Sequence, residues 1–297
     1  MKFKSIHFIL NPAAGSKEPI LSHINTVFCD SGIQWDISLT KKDGDATKIA
    51  KLLKGKTDLI AVYGGDGSLT EVAAALYGSK MPMGIIPGGT ANVMAKELGI
   101  PLATLEALGL LKNGRNKIVK MDMGLLNGHP FMIRVNLGIM AEMVIDADRK
   151  LKDSLGQAAY GITAIQSLVK ADSVNYNLLI DGQKVNEKGV ALTVTNSGSL
   201  GIKNFDLLPG ITVTDGLLDV ILLNDSDIMS VLKVAGNTLL QNDSEVLKHW
   251  KCKEVVISMD KAEPYICDDW ESKAKILHIK VVPAALNVVA PSASITE

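Results

Sequence analysis

The sequence predicts an α/β protein with an N-terminal three-layer domain on a parallel sheet and a C-terminal β-sandwich-like domain. Three observations carry this. Four strand–turn–helix units follow one another within the first hundred or so residues, and three of the four turns are rich in glycine. Beyond about residue 117 the apolar period changes from helical to alternating.

In the first unit, the apolar run 6–10 ends at Asn11-Pro12-Ala13-Ala14-Gly15-Ser16-Lys17, after which Ile20, Ile24, Val27 and Phe28 recur at helical spacing. No Gly-Lys-Ser/Thr closes this loop, so it is not a Walker loop. The second unit is a strand over 35–39, the turn Thr40-Lys41-Lys42-Asp43-Gly44-Asp45, and a helix with Ala46, Ile49, Ala50 and Leu53 on one face. The third is a buried strand over 59–63 followed by Gly64-Gly65-Asp66-Gly67-Ser68-Leu69-Thr70-Glu71. Ser68 with Glu71 three residues on reads as a capping box that starts the helix. The fourth joins a strand over 83–86 to Pro87-Gly88-Gly89-Thr90-Ala91-Asn92 and a helix stopped by Gly99 and Pro101.

A parallel sheet brings such turns to one edge, at the carboxyl ends of its strands. Glycines there let backbone approach a ligand, and the positive end of a helix favours an anion. A carboxylate at Asp66 would repel a bare phosphate, so it suits a metal ion, a metal-bound water or a ribose hydroxyl. The turns together, with Asn11, Thr40, Asp66 and Thr90 as a polar floor, fit a nucleotide triphosphate with its magnesium.

The boundary falls between residues 1–117, the nucleotide-binding α/β domain, and 118–297, the β-rich substrate domain. Residues 118–126 and 131–137 pair as a hairpin through Asn127-Gly128. A helical insertion over 138–170 carries Met140, Met143, Val144, Ile162, Ile165 and Leu168, either as two helices packed on a sheet or as one wall of an acyl-chain opening. Short strands follow over 174–180, from 185, and over 189–195, 217–223, 255–259, 265–268 and 276–282, interrupted by a helix near 227–240. A last strand, about 286–291, has no local partner and is expected to return to the first domain.

Two acidic clusters lie in this half. Thr212-Val213-Thr214-Asp215-Gly216-Leu217 sets a carboxylate at a turn, either simple turn chemistry or a hard-metal site if backbone carbonyls join it. Asp268-Asp269-Trp270-Glu271 places carboxylates at i and i+2 between two strands, either as a solvated loop or aimed at one substrate hydroxyl as a general base.

The chain of 297 residues is 47% apolar with mean hydropathy +0.20, ample for two cores. Its 31 basic and 32 acidic residues leave net charge −1, so no field draws it to nucleic acid or an anionic membrane. Cys29, Cys252 and Cys267 are too few and too scattered for a disulfide framework. Without a signal peptide or an apolar run of about 18 residues, a cytoplasmic protein without a transmembrane segment is expected. An exposed sheet edge would support a homodimer.

These residues resemble the bacterial diacylglycerol-kinase-type lipid kinases, relatives of sphingosine and ceramide kinases and, more distantly, of NAD kinases and phosphofructokinases. The resemblance rests on Asn11-Pro12-Ala13-Ala14-Gly15, Thr40 with Gly44-Asp45-Ala46, Gly64 to Glu71, Pro87 to Asn92, and Asp215-Gly216-Leu217-Leu218-Asp219. It implies an ATP site between two domains. Asn11, Pro12, Ala13, Ala14, Gly15, Thr40, Gly65, Asp66, Gly67, Ser68, Leu69, Thr70, Glu71 and Thr90 would bind nucleotide. A Mg2+ ion would be held by the Asp215 carboxylate and the backbone carbonyls of Thr212 and Leu217, with Asp66 linked to it through water. The family's catalytic Asp-Gly-Glu corresponds to Asp269-Trp270-Glu271, with tryptophan in place of glycine. If that glycine needs a positive φ, tryptophan strains or rebuilds the turn.

The expected activity is transfer of the γ-phosphoryl group of ATP, with Mg2+, to the hydroxyl of a lipid at a membrane surface, with Glu271 or Asp269 as base. Two other readings stand beside it. One is a kinase of a soluble acceptor such as NAD, suggested by Gly-Gly-Asp-Gly. The other is a nucleotide- or lipid-binding protein whose catalytic turn has decayed, suggested by Trp270.

Overall fold

The computed structural model describes residues 2–15, 18–112, 114, 116–138, 141, 173–202, 205–206, 210–224 and 247–292. The four predicted units are present: β1 (Ser5–Leu10), α1 (Ile20–Phe28), β2 (Gln34–Leu39), α2 (Asp45–Leu53), β3 (Leu59–Gly64), α3 (Asp66–Leu76), β4 (Pro82–Pro87) and α4 (Val93–Glu97), then α5 (Thr104–Lys112). Strands run parallel in the order β2-β1-β3-β4. Every residue of β3 is buried, as expected of a central strand covered on both faces.

The β-rich half contains β5 (Asn116–Leu126), β6 (His129–Phe131), β7 (Arg134–Gly138), β8 (Val174–Ile180), β9 (Gln183–Gly189) and β10 (Ala191–Thr195). It continues through β11 (Ser199–Ile202), β12 (Phe205–Asp206), β13 (Leu218–Leu223), β14 (Leu247–Cys252), β15 (Glu254–Cys267) and β16 (Trp270–Pro291). All but the small β11–β12 hairpin belong to one continuous hydrogen-bonded network. Two long strands make the continuity possible. β15 and β16 pair antiparallel from a two-residue turn at Asp268-Asp269, and the far end of β16 pairs parallel with β4 at Asn287 and Val288. The same end pairs antiparallel with β5.

Two cores result. One lies around the parallel sheet, with Phe8, Ile24, Leu59, Val72 and Ile86, and also takes in Met121, Val213, Leu286 and Val289 from later in the chain. The other fills the sandwich with Leu126, Val135, Tyr176, Leu192, Val220, Val255, Leu277 and Ile279. Cys252 and Cys267 are buried and unbridged, and Cys29 is exposed.

Several local expectations are corrected. The third helix begins at Asp66, two residues before the predicted cap. Gly65 is its N-cap, in extended conformation, and no side chain caps it. The strand expected over 131–137 is two strands, because the backbone turns at Met132 and Ile133. The strands expected over 255–259 and 265–268 are one bulged strand, as are those expected over 276–282 and 286–291. Cross-strand hydrogen bonding carries the ladder through residues whose apolar pattern breaks at the bulges. The helical insertion expected over 138–170, Gly138 and Ala141 apart, and the helix expected near 227–240 lie outside the described residues.

Candidate active site

The site is assembled at the carboxyl ends of β1, β3 and β4. Asn11 is the hinge of the first loop. Its Oδ1 accepts from the Ala13 N–H at 3.0 Å, and its Nδ2 donates to Ser68 Oγ at 3.1 Å. The hydroxyl read as a cap therefore ties the first loop to the third. Gly15, at φ +82°, lies over the Tyr63 hydroxyl so closely that a Cβ would fall 2.0 Å from that oxygen. The third and fourth turns touch glycine to glycine: a Cβ on Gly89 would lie 2.5 Å from Gly65 Cα. Asn92 closes the fourth turn by accepting from the Gly89 N–H at 2.9 Å and donating to the Gly89 carbonyl at 2.7 Å.

The first turn of α3 leaves the N–H groups of Asp66, Gly67 and Ser68 without intrahelical acceptors, since the first helical bond runs from Leu69 N–H to the Gly65 carbonyl at 3.2 Å. That end of α3 is suited to an anion. Leu69 is in the core with its N–H committed to Gly65, and the Thr70 hydroxyl donates to the Gly67 carbonyl, so both serve the helix itself. Glu71 turns the other way. Its carboxylate accepts from Gly44 N–H at 2.9 Å and Thr47 N–H at 3.3 Å, which caps α2. Its place is to hold the second turn against the third. Thr40, at the end of β2, directs its hydroxyl to the Leu10 carbonyl at 3.4 Å, whereas Thr90 is exposed on the fourth turn. Pro12 and Ala13 are exposed and Ala14 is half-buried.

The Val93 and Met94 N–H groups at the start of α4 favour the charged form of Asp66. Burial nevertheless raises its pKa above the ordinary value, against the pull of those amides and of Arg134 and Lys96. Its Oδ1 is buried and has no protein partner. A buried carboxylate oxygen without a protein partner, beside a row of outward-facing amides, fits a hard cation carried by an anionic ligand.

The β15–β16 turn meets this edge from the other half. The Oδ2 of Asp269 lies 3.1 Å from where a Cβ on Gly67 would be. Asp268 beside it faces inward, accepting from the N–H groups of Met132 (2.7 Å), Ile133 (2.9 Å) and Arg134 (3.0 Å). Its own N–H donates to the Arg134 carbonyl at 2.9 Å. Burial pushes the Asp268 pKa up to about 6 despite those three donors. The Arg134 guanidinium stands between carboxylates: Asp268, Asp66 and Glu97 all favour its charge against burial. Glu97 in turn accepts from the Ser197 hydroxyl at 2.7 Å, joining α4 to the end of β10.

Trp270 is the first residue of β16 and has no positive φ; among the described residues of this turn, that conformation falls on Asp268, at 51°. Its ring packs edge-on to Tyr265 at 5.8 Å and against His129 at 5.7 Å. The strain expected of a tryptophan here is absent. Glu271 lies one step farther along β16, opposite Ile266, and is exposed.

The remaining candidates sit in the loop before β13. Asp215 Oδ1 accepts from Leu217 N–H at 3.0 Å, and Oδ2 accepts from the Lys251 ammonium at 3.1 Å. Buried Asp122 holds this loop by accepting from Gly216 N–H at 2.6 Å, and accepts from Ala284 N–H at 2.7 Å. Asp122 and Arg134 escaped the sequence reading because each is a single charge within a strand pattern with no motif around it. Asp268 was visible only as part of an acidic run. Burial pushes the Cys252 thiol up to about 12 and the Cys267 thiol higher still, which leaves neither as a nucleophile.

The glycine turns at the parallel-sheet edge are thus faced by a carboxylate hairpin from the sandwich, a class of site suited to an anionic ligand. Comparison with known proteins makes this specific. Residues 5–126 match the diacylglycerol kinase catalytic domain, and residues 134–290 match the YegS C-terminal NAD kinase beta sandwich-like domain. The chain belongs to the diacylglycerol kinase-like lipid kinase family. It is similar to a diacylglycerol kinase of Bacillus subtilis (strain 168), 31% identical over 80% of this chain and 79% of that one. A diacylglycerol kinase of Staphylococcus carnosus (strain TM300) is 27% identical over 89% and 88%. A crystal structure from Bacillus anthracis str. Sterne superposes with a TM-score of 0.84 at 26% identity, covering 98% of each chain. A second, of a diacylglycerol kinase from the same organism, shares the fold at 23% identity, with a TM-score of 0.80 and coverage of 99% of this chain and 100% of that one.

Proposed function

We propose that this protein is an ATP- and Mg2+-dependent kinase of a lipid hydroxyl, with diacylglycerol or a related glycerolipid or sphingoid as acceptor, and that Asp269 is its general base. One observation carries the reading: the Asp269 carboxylate from the sandwich lies against Gly67, at the end of α3 whose amides face outward. The amides of the α3 start and of the 11–15 loop bind the phosphates of ATP. The acceptor oxygen attacks the γ-phosphorus while its proton passes to Asp269; the bond to the β-phosphate oxygen breaks, and ADP leaves. Such transfer asks the protein for positioning and charge stabilisation rather than for a covalent intermediate.

Asp66, with its orphaned Oδ1, would orient a Mg2+ carried by ATP, which would supply charge neutralisation on the phosphates. Arg134 balances Asp66 and Asp268 and so keeps two carboxylates near a polyanion. Glu271, exposed and a step back on β16, orients the acceptor or the turn. No helix among the described residues is long and apolar enough to cross a membrane.

The test is Mg2+-dependent transfer of labelled γ-phosphate from ATP to lipids in mixed micelles, with NAD as the soluble acceptor control. Product on a lipid, lost by about 10²-fold or more in Asp269→Asn and less in Glu271→Gln, is the expected result. Product on NAD alone, or ATP binding without any product, would overturn it.

A further inference from the structure

The loop before β13 departs from what the family resemblance implies, in a way that depends on one lysine. We infer that Lys251 is a built-in cation that takes the place of a structural divalent ion at Asp215, so that this loop is organised without Mg2+. The inference rests on the lipid-kinase reading only for the identity of the ion displaced.

Lys251 Nζ donates to Asp215 Oδ2 and to the Gly210 carbonyl, both at 3.1 Å. A carboxylate and a backbone carbonyl of one loop, bridged by one positive charge, is the arrangement a hard cation would otherwise make. The second carboxylate oxygen is also engaged, by Leu217 N–H. The lysine is delivered by the sheet, since Lys251 on β14 lies directly opposite Asp219 on β13. Asp219 is buried, its Oδ1 meets His249 Nε2 at 2.6 Å, and its Oδ2 has no protein partner. Burial raises the pKa of Asp219, opposed by His249 and Lys251, so the lysine charge serves two carboxylates at once.

Other described residues of the loop are held by chain as well. Asp122 accepts from Gly216 N–H, and its own N–H donates to the Val213 carbonyl at 2.8 Å. A divalent ion entering here would meet an ammonium about 3 Å from its carboxylate ligand and would have to expel it into water. Mg2+ also gives up its own water reluctantly, which weights the competition toward the tethered amine. The only divalent ion the reaction then needs is the one that arrives with ATP.

The experiment titrates the full-length, nucleotide-free chain with Mn2+, read by the electron paramagnetic resonance signal of free Mn2+ and by the shift in melting temperature. Wild type and Lys251→Arg are expected to bind no stoichiometric Mn2+ at this loop. Lys251→Met and Lys251→Gln should each gain one site, at least ~10-fold tighter than any wild-type binding, because a unit charge beside the carboxylate is gone. Adding Asp215→Asn should abolish the gain. One Mn2+ bound as tightly by wild type as by Lys251→Met would overturn the inference, as would no gain in either folded neutral variant. Neither result bears on phosphotransfer, because no nucleotide is present.

Discussion

The Asp269 carboxylate occupies the space that a side chain on residue 67 would need: its Oδ2 is 3.1 Å from the Cβ position of Gly67. The missing side chain is what lets a hairpin of the sandwich reach the end of a helix in the parallel-sheet half. Gly67→Ala meets only the end of a flexible carboxylate and should reduce turnover by less than about 10-fold. Gly67→Val cannot be accommodated without moving the hairpin. It is expected to lower kcat by about 10²-fold with little change in the KM for ATP, since displacement by about an ångström is enough to lose positioning. Steady-state kinetics checks this, and a Gly67→Val enzyme with wild-type kcat would show that Asp269 does not act at that position.

Glu71 makes a prediction of a different kind. Both of its carboxylate oxygens serve the start of α2, at Gly44 and Thr47, and its carbonyl accepts from the Thr47 hydroxyl at 3.0 Å. Glu71→Ala should therefore cost about 1–2 kcal/mol of stability, as a lost helix cap does. It should also raise the KM for ATP through the second turn while leaving kcat within about twofold. Urea unfolding together with initial rates separates the two effects. Unchanged stability with a collapsed kcat would make Glu71 a direct participant in the reaction instead.

Trp270 stands where the family resemblance implies glycine, and the backbone there has no positive φ to relieve. Restoring the family residue should accordingly bring no gain. Trp270→Gly removes the ring contacts with Tyr265 and His129 and is expected to cost about 1–3 kcal/mol, with turnover no higher than wild type. A several-fold rise in kcat for Trp270→Gly would revive the view of a decayed catalytic turn.

Much of this was legible in the residues. The four units, the parallel sheet and the sandwich follow from period and turn chemistry, because most of the periodic apolar residues there are buried in the two cores. The site was less legible for a physical reason. Ser68 and Glu71 carry the local signature of a cap, yet Asn11 from 57 residues earlier takes the serine hydroxyl, and the second turn takes the glutamate. Long-range partners outbid the local one, and spacing along the chain does not register them. Arg134 and Asp122 are invisible for the same reason: each matters through residues more than 60 positions away, such as Asp268 and Asp66 for the one and Gly216 and Ala284 for the other. Lys251 is one lysine in a strand until β14 is laid against β13.

Asp268 offers the sharpest test, because its ionisation should move stability and activity in opposite directions. Its pKa in the folded chain is about 6, against an ordinary 3.8, so burial outweighs the three amides that hold it. Between those values the folded protein keeps a proton that the unfolded chain has released. Stability should thus fall as pH rises through this window and level off above it. Activity should rise around the folded pKa near 6, because only the ionised carboxylate can accept from Met132, Ile133 and Arg134 together and so fix the turn that carries Asp269. Asp268→Asn removes the titration. Its stability should be flat relative to wild type across the window, and its kcat should be lower at neutral pH with the acid limb near 6 gone. Urea unfolding and kcat/KM, each measured from about pH 4 to pH 8 on both proteins, provide the comparison. If wild type and Asp268→Asn gave parallel stability curves, the buried carboxylate would not be titrating in this range, and its hold on the turn would be independent of pH.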